Sequence, residues 1–156
     1  PEVVKFTREL DPTRLINPAS GGNFDFSAGP EGFGDILDVH HYPCPAMNVF
    51  ERKFVNVLGE YGGIGMPVEG HTWIIDRKWG YGKVKENSEE LMKQYEEYLE
   101  MLKTFVTTGC AAAVYTQTTD VEGEVNGLMT YDRKVIKMDI PRISAANKKV
   151  IESMSK

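Results

Sequence analysis

Cysteine is scarce: Cys44 and Cys110 are the two in 156 residues, too few and too far apart for a disulfide framework or a zinc motif. Both are expected as buried thiols. Long apolar runs are missing as well, since none approaches the roughly 18 residues of a membrane span, and the opening residues form a charged amphipathic stretch rather than a signal sequence. There is no excess of positive charge. With 18 basic against 23 acidic residues and a net charge of -5, the chain has no field to recruit phosphate backbones, which argues against nucleic acid as a partner. Internal repeats and low-complexity segments are absent too, so a repeat or fibrous architecture is not expected.

What remains is ordinary globular composition, 41% hydrophobic and 26% charged, at a length that suits one domain or part of one. The chain opens on Pro1 rather than Met, so its function is read for a longer parent. Pro1 to Leu10 reads as a helix with Val3, Val4, Phe6 and Leu10 on one side, stopped by Asp11-Pro12. Four apolar runs predict strands, namely 14–17, 36–39, 54–58 and 111–115. Three of them lack strict alternation, as strands buried on both faces do in a parallel sheet covered by helices. Leu91, Tyr95, Tyr98, Leu99, Leu102, Phe105 and Val106 keep helical spacing from Asn87 to about Thr108, with Asn87 and Glu90 as a capping box and Gly109 at the far end. A last helix is expected from Pro141 to about Met154. Two long loops, 17–34 and 59–87, are candidates for function.

Three stretches carry chemistry. In the first, the apolar run Val55 to Leu58 ends in Gly59-Glu60-Tyr61-Gly62-Gly63. A carboxylate at the carboxyl end of a barrel strand faces the active site, although a surface glutamate just past a strand leaves the same local pattern. In the second, Asp38-Val39-His40-His41-Tyr42-Pro43 brings polar and aromatic groups to another strand end. A tyrosine there is able to donate to a neighbouring carboxylate, and a histidine to bond a ligand hydroxyl. Neighbouring residues of an extended chain face opposite ways, so His40 and His41 make poor joint metal ligands. The third runs from Tyr115-Thr116-Gln117 through Asp120, Glu122, Glu124 and Asn126. Such hydroxyls, amides and acids suit sugar hydroxyls, with Trp73 and Trp79 available to stack on a sugar ring.

Asp11-Pro12-Thr13-Arg14, the His40-His41-Tyr42-Pro43 run, Gly59-Glu60-Tyr61-Gly62, and Tyr115-Thr116-Gln117 through Asn126-Gly127-Leu128-Met129-Thr130-Tyr131-Asp132-Arg133 together resemble glycoside hydrolase family two, the β-galactosidase and β-glucuronidase family. The resemblance spans almost the whole chain. It implies an α/β fold in which residues 1–156 are the C-terminal half of a (β/α)8 barrel, about strands five to eight with their helices. It implies Glu60 as the catalytic nucleophile, Tyr42 as its hydrogen-bonding partner and His40 as a substrate-binding residue, to which the side-chain chemistry above adds Trp73, Thr116 and Gln117, although many members have a tryptophan near the position of Thr116. No cofactor or metal is implied.

The family's acid/base glutamate lies on strand four, which would precede Pro1. The resemblance therefore implies a retaining, exo-acting hydrolase of terminal β-linked sugars in the parent, with the 156 residues inactive by themselves. The family's Asn-any-Lys motif is not evident after Gln117, which disfavours a uronic acid substrate. The expected partners are a carbohydrate and the other half of the barrel, with self-association as a homodimer across the open edges. Periplasmic and secreted locations both stay open. Two other readings are a carbohydrate-binding barrel remnant without catalysis and a metal-dependent hydrolase built on His40, His41 and His71.

Overall fold

Asn87 and Gly109 bracket the longest helix because their chemistry satisfies its ends. The Asn87 side chain accepts from the Glu90 N–H, and Gly109, left-handed at φ 103°, returns its own N–H to Phe105 and Val106. In the computed structural model, which describes residues 2–21 and 34–154, the elements follow in the order α1 (Glu2–Leu10), β1 (Ile36–His41), β2 (Val55–Gly62), α2 (Ser88–Thr108), β3 (Cys110–Thr116) and α3 (Ile140–Ser153). The three strands form one sheet in the order β1-β2-β3, and both pairs are parallel. The fold is α/β, with three strands among the described residues where four are expected.

The core lies between the sheet and α2. Leu58 and Tyr61 from β2 and Cys110 from β3 pack with Leu91, Met92, Tyr95, Leu99 and Leu102 of α2, and Ile143, Ala146 and Val150 of α3 close the outer side. Arg142 fastens α3 to α2 through Glu89 and Glu96 at 2.7 and 2.8 Å. Tyr95 and Asn147 add a polar tie between the same helices.

Several expectations are corrected. The run 14–17 is not a strand. Asp35 and Ile36 both donate to the Ile16 carbonyl, but Pro18 has no N–H to continue a ladder, and Leu15 is 61% exposed. The expected apolar side of α1 buries Val4 alone, leaving Val3, Phe6 and Leu10 in solvent. Strand β3 is not buried on both faces, because it is an edge strand and Ala111 to Val114 are exposed. Of the two thiols Cys110 is buried and Cys44 only partly so. Most of the loop 17–34 lies outside the described residues. Among the described residues no helix is long and apolar enough to cross a membrane.

Candidate active site

The polar ends of the three parallel strands meet at one edge of the sheet. In the β1–β2 register His40 lies opposite Glu60, and the pairing slips by one residue between Val39 and His40, so Gly59 has no partner across the ladder. Such bulges re-aim side chains. Here the absent side chain of Gly59 leaves room for the Asp38 carboxylate, which a Cβ would strike. Asp38 is buried and accepts from Asn17 Nδ2 at 2.7 Å, while its other oxygen has no hydrogen bond. The His40 ring lies between the two acids, with Nδ1 3.4 Å from Glu60 Oε2 and Nε2 3.5 Å from Asp38 Oδ1.

Tyr42 follows β1 and joins all three strands. Its hydroxyl donates to Glu60 Oε2 at 2.5 Å and lies 2.6 Å from Thr116 Oγ1 at the end of β3. With the Tyr42 proton committed to the carboxylate, the threonine hydroxyl is left to donate back to the phenol oxygen. Burial, and then the bond to the Glu60 carboxylate, push the Tyr42 pKa well above its ordinary value, so the phenol stays a donor. Tyr81 stacks on Tyr42 with ring centroids 3.7 Å apart and planes within 10°. That close approach requires Gly63, which is left-handed at φ 62° and whose missing Cβ leaves space for the Tyr81 ring. Trp79 meets Tyr81 edge-on at 5.3 Å.

The segment after β3 supplies a second polar group. Gln117 Nε2 donates to Glu124 Oε2 at 2.9 Å and to Asn126 Oδ1 at 2.6 Å, and Asn126 Nδ2 donates to the same Glu124 oxygen at 3.1 Å. Backbone bonds from Trp79 N to Gly123 O and from Val125 N to Trp79 O stitch this turn to the loop carrying Tyr81. Underneath, the fully buried Lys137 ammonium donates to Asp120 at 2.6 Å and to the Val125 carbonyl at 3.0 Å. Burial raises the Asp120 pKa and lowers that of Lys137, each moderated by the charge of the other.

The structure thus brings Glu60, Tyr42, His40 and Thr116 into one network and sets Gln117 beside it. Trp73 is not part of it. That ring is 58% exposed and lies 5.7 Å from Tyr131, and the neighbouring His71 Nδ1 bonds Asp132 at 2.8 Å. Glu124 and Asn126 belong to the polar stretch already marked as suited to sugar hydroxyls, whereas Tyr81 escaped the sequence reading as a site residue. It stands in a loop marked by its aromatic content, but nothing in one dimension says that Tyr81 stacks on Tyr42. The three histidines have three separate destinations, His41 bonding the Cys44 carbonyl, His71 bonding Asp132, and His40 facing Glu60 and Asp38. Among the described residues no group of three His, Cys, Asp or Glu side chains is arranged to hold a metal ion. Comparison with protein-family models and with curated proteins finds no match to this chain.

Proposed function

We propose that the chain is part of a retaining glycoside hydrolase acting on terminal β-linked sugars, as its resemblance to glycoside hydrolase family two implies. In this reading β1, β2 and β3 are the sixth to eighth strands of a (β/α)8 barrel, and Ile16 marks the course of the fifth. The observation that carries the reading is the 2.5 Å bond from Tyr42 to Glu60 at the carboxyl end of a parallel sheet. Active sites occupy that end of barrels.

The bond leaves Glu60 with distinct oxygens. Oε2 accepts the hydrogen bond of the Tyr42 hydroxyl and faces His40, while Oε1 has no hydrogen bond among the described residues and is left to attack. In the first step Glu60 bonds the anomeric carbon as the bond to the leaving oxygen breaks, and a second carboxylic acid protonates that oxygen. In the second step water, deprotonated by the same group, displaces Glu60. The resemblance puts that second carboxyl on a strand preceding Pro1, so the 156 residues alone are expected to hydrolyse nothing.

The test is to treat the full-length protein with aryl 2-deoxy-2-fluoro-β-glycosides, which accumulate the covalent intermediate, and to map the adduct by mass spectrometry. A label on Glu60, with turnover of the unfluorinated aryl glycosides, supports the reading. Binding of sugars with no turnover and no label would instead leave a carbohydrate-binding barrel, and a label on another residue would remove Glu60 from the mechanism.

A further inference from the structure

The carboxylate of Glu124 is half-buried and held by two side-chain amides. Both amide donors, from Gln117 and Asn126, converge on Oε2, and Oε1 has no hydrogen bond among the described residues. An oxygen pinned by two donors fixes the direction of the other one. The turn that carries it is rigid: Asn126 is completely buried, Val125 is bonded to Trp79 and to Lys137, and the Gly127 N–H is held by Asp120.

Two independent paths lead from this turn to Glu60. One runs from Gln117 to its chain neighbour Thr116, and from Thr116 to the Tyr42 hydroxyl. The other runs through the Trp79 backbone, the edge-on contact of Trp79 with Tyr81, and the stacking of Tyr81 on Tyr42. The Tyr81 hydroxyl feels both acids, for its pKa is raised by burial and then by the charges of Glu124 and Glu60.

From this arrangement we infer that Glu124 is a specificity-determining residue, accepting hydroxyl hydrogens of a neutral sugar on Oε1 and, together with Glu60, repelling sugars that carry a carboxylate. The inference takes the ligand class, a β-linked sugar, from the proposed function. Glu60 and Glu124 both act on Tyr81, the ring stacked on Tyr42, and two like charges beside that ring disfavour an anionic ligand. A fixed carboxylate oxygen is the acceptor to which neutral hydroxyls bond best.

The test is equilibrium binding of non-hydrolysable methyl 1-thio-β-pyranosides to the full-length protein, by calorimetry, with galacto, gluco, manno and xylo neutral sugars set against the glucuronide. The wild-type protein is expected to bind at least one neutral sugar about tenfold or more tighter than the glucuronide. Glu124→Gln, which keeps the shape and loses the charge, is expected to weaken the neutral sugar about tenfold and narrow that ratio. Glu124→Lys should shift the ratio towards the glucuronide, a gain that a damaged fold would not produce. An unchanged ratio in both variants, a wild-type preference for the glucuronide, or no binding of any pyranoside would each overturn the inference. Selective binding that depends on Glu124, in a protein that cleaves no aryl glycoside, would sink the hydrolase reading and leave the role of Glu124 standing.

Discussion

The sheet has two kinds of edge, and they are opposites. At the carboxyl end Tyr42, Glu60, Thr116, Gln117 and Glu124 form a network in which nearly every donor has an acceptor. Along the free side of β3, Ala111 to Val114 stand exposed next to Ile151 and Met154 of α3, and a cavity of about 330 Å³ opens between that strand, α2 and α3. Polar groups satisfied among themselves still present open lone pairs to a small ligand. An apolar strand without a neighbour presents unpaired backbone and dry surface, which suits another chain segment. In the proposed reading the first edge serves chemistry, and the second is expected to serve assembly.

The largest effect expected at the carboxyl end is from Glu60→Gln in the full-length protein, which should lower turnover by at least about 10⁴-fold with the fold unchanged, because it removes the attacking group at constant volume. Steady-state rates on aryl β-glycosides check this, and near-wild-type rates would erase the distinction between the edges.

Next in size is a contrast within the groove beside β3, which Leu99 and Ile151 both line. Leu99 is buried and Ile151 is 63% exposed. Leu99→Ala is expected to cost about 2–5 kcal/mol in chemical denaturation, and Ile151→Ala no more than about 0.5 kcal/mol. Equal costs would mean that something covers the lateral edge. Tyr42→Phe removes one charge-assisted bond, about 1.5–3 kcal/mol, and should lower kcat/KM by roughly 10- to 100-fold. An unaltered value would make the Tyr42–Glu60 bond incidental.

Association tests the lateral edge directly. The 156-residue chain is expected to dimerise through its apolar edges, and Val114→Lys with Ile151→Lys should shift it to monomer in light scattering. A wild-type chain that stays monomeric at high concentration would break this expectation.

The smallest effect concerns the peripheral tie of Asp132 to Thr130 and His71. Bonds from Thr130 and then His71 hold Asp132 down at about 2, against an ordinary 3.8. The folded state therefore binds this proton more weakly than the unfolded chain, and the tie is complete above pH 3.8 and lost as the pH falls towards 2. The carboxyl resonance of Asp132, followed by NMR, should titrate with a midpoint of about 2 rather than near 3.8. A transition centred near pH 4 would show that Asp132 is not held.

Strand and helix positions are readable because apolar spacing and end caps are local: β1, β3, α2 and α3 lie within one or two residues of their expected bounds, while β2 runs four residues past its apolar run, to Gly62. The run 14–17 misled because an apolar stretch signals burial only where a neighbour covers it, and past the Ile16 carbonyl Pro18 has no N–H to continue pairing with β1. The same holds for α1, whose apolar side needs a surface that the described residues do not provide.

The sequence by itself determined which residue types arrive at each strand end. Glu60, Tyr42 and Thr116 were legible because each ends a short apolar run, and period-two geometry says little more than that. Only the tertiary structure decided that Tyr42 reaches across 18 residues to Glu60 and 74 to Thr116, that Tyr81 lies flat on Tyr42, and that Trp73 stands apart with Tyr131. These contacts follow from the parallel register, from the one-residue slip at Gly59 and from loops pinned by the buried Lys137–Asp120 pair. Hydrogen bonds and ring contacts act over a few ångströms, so they are fixed only when packing has brought distant segments together.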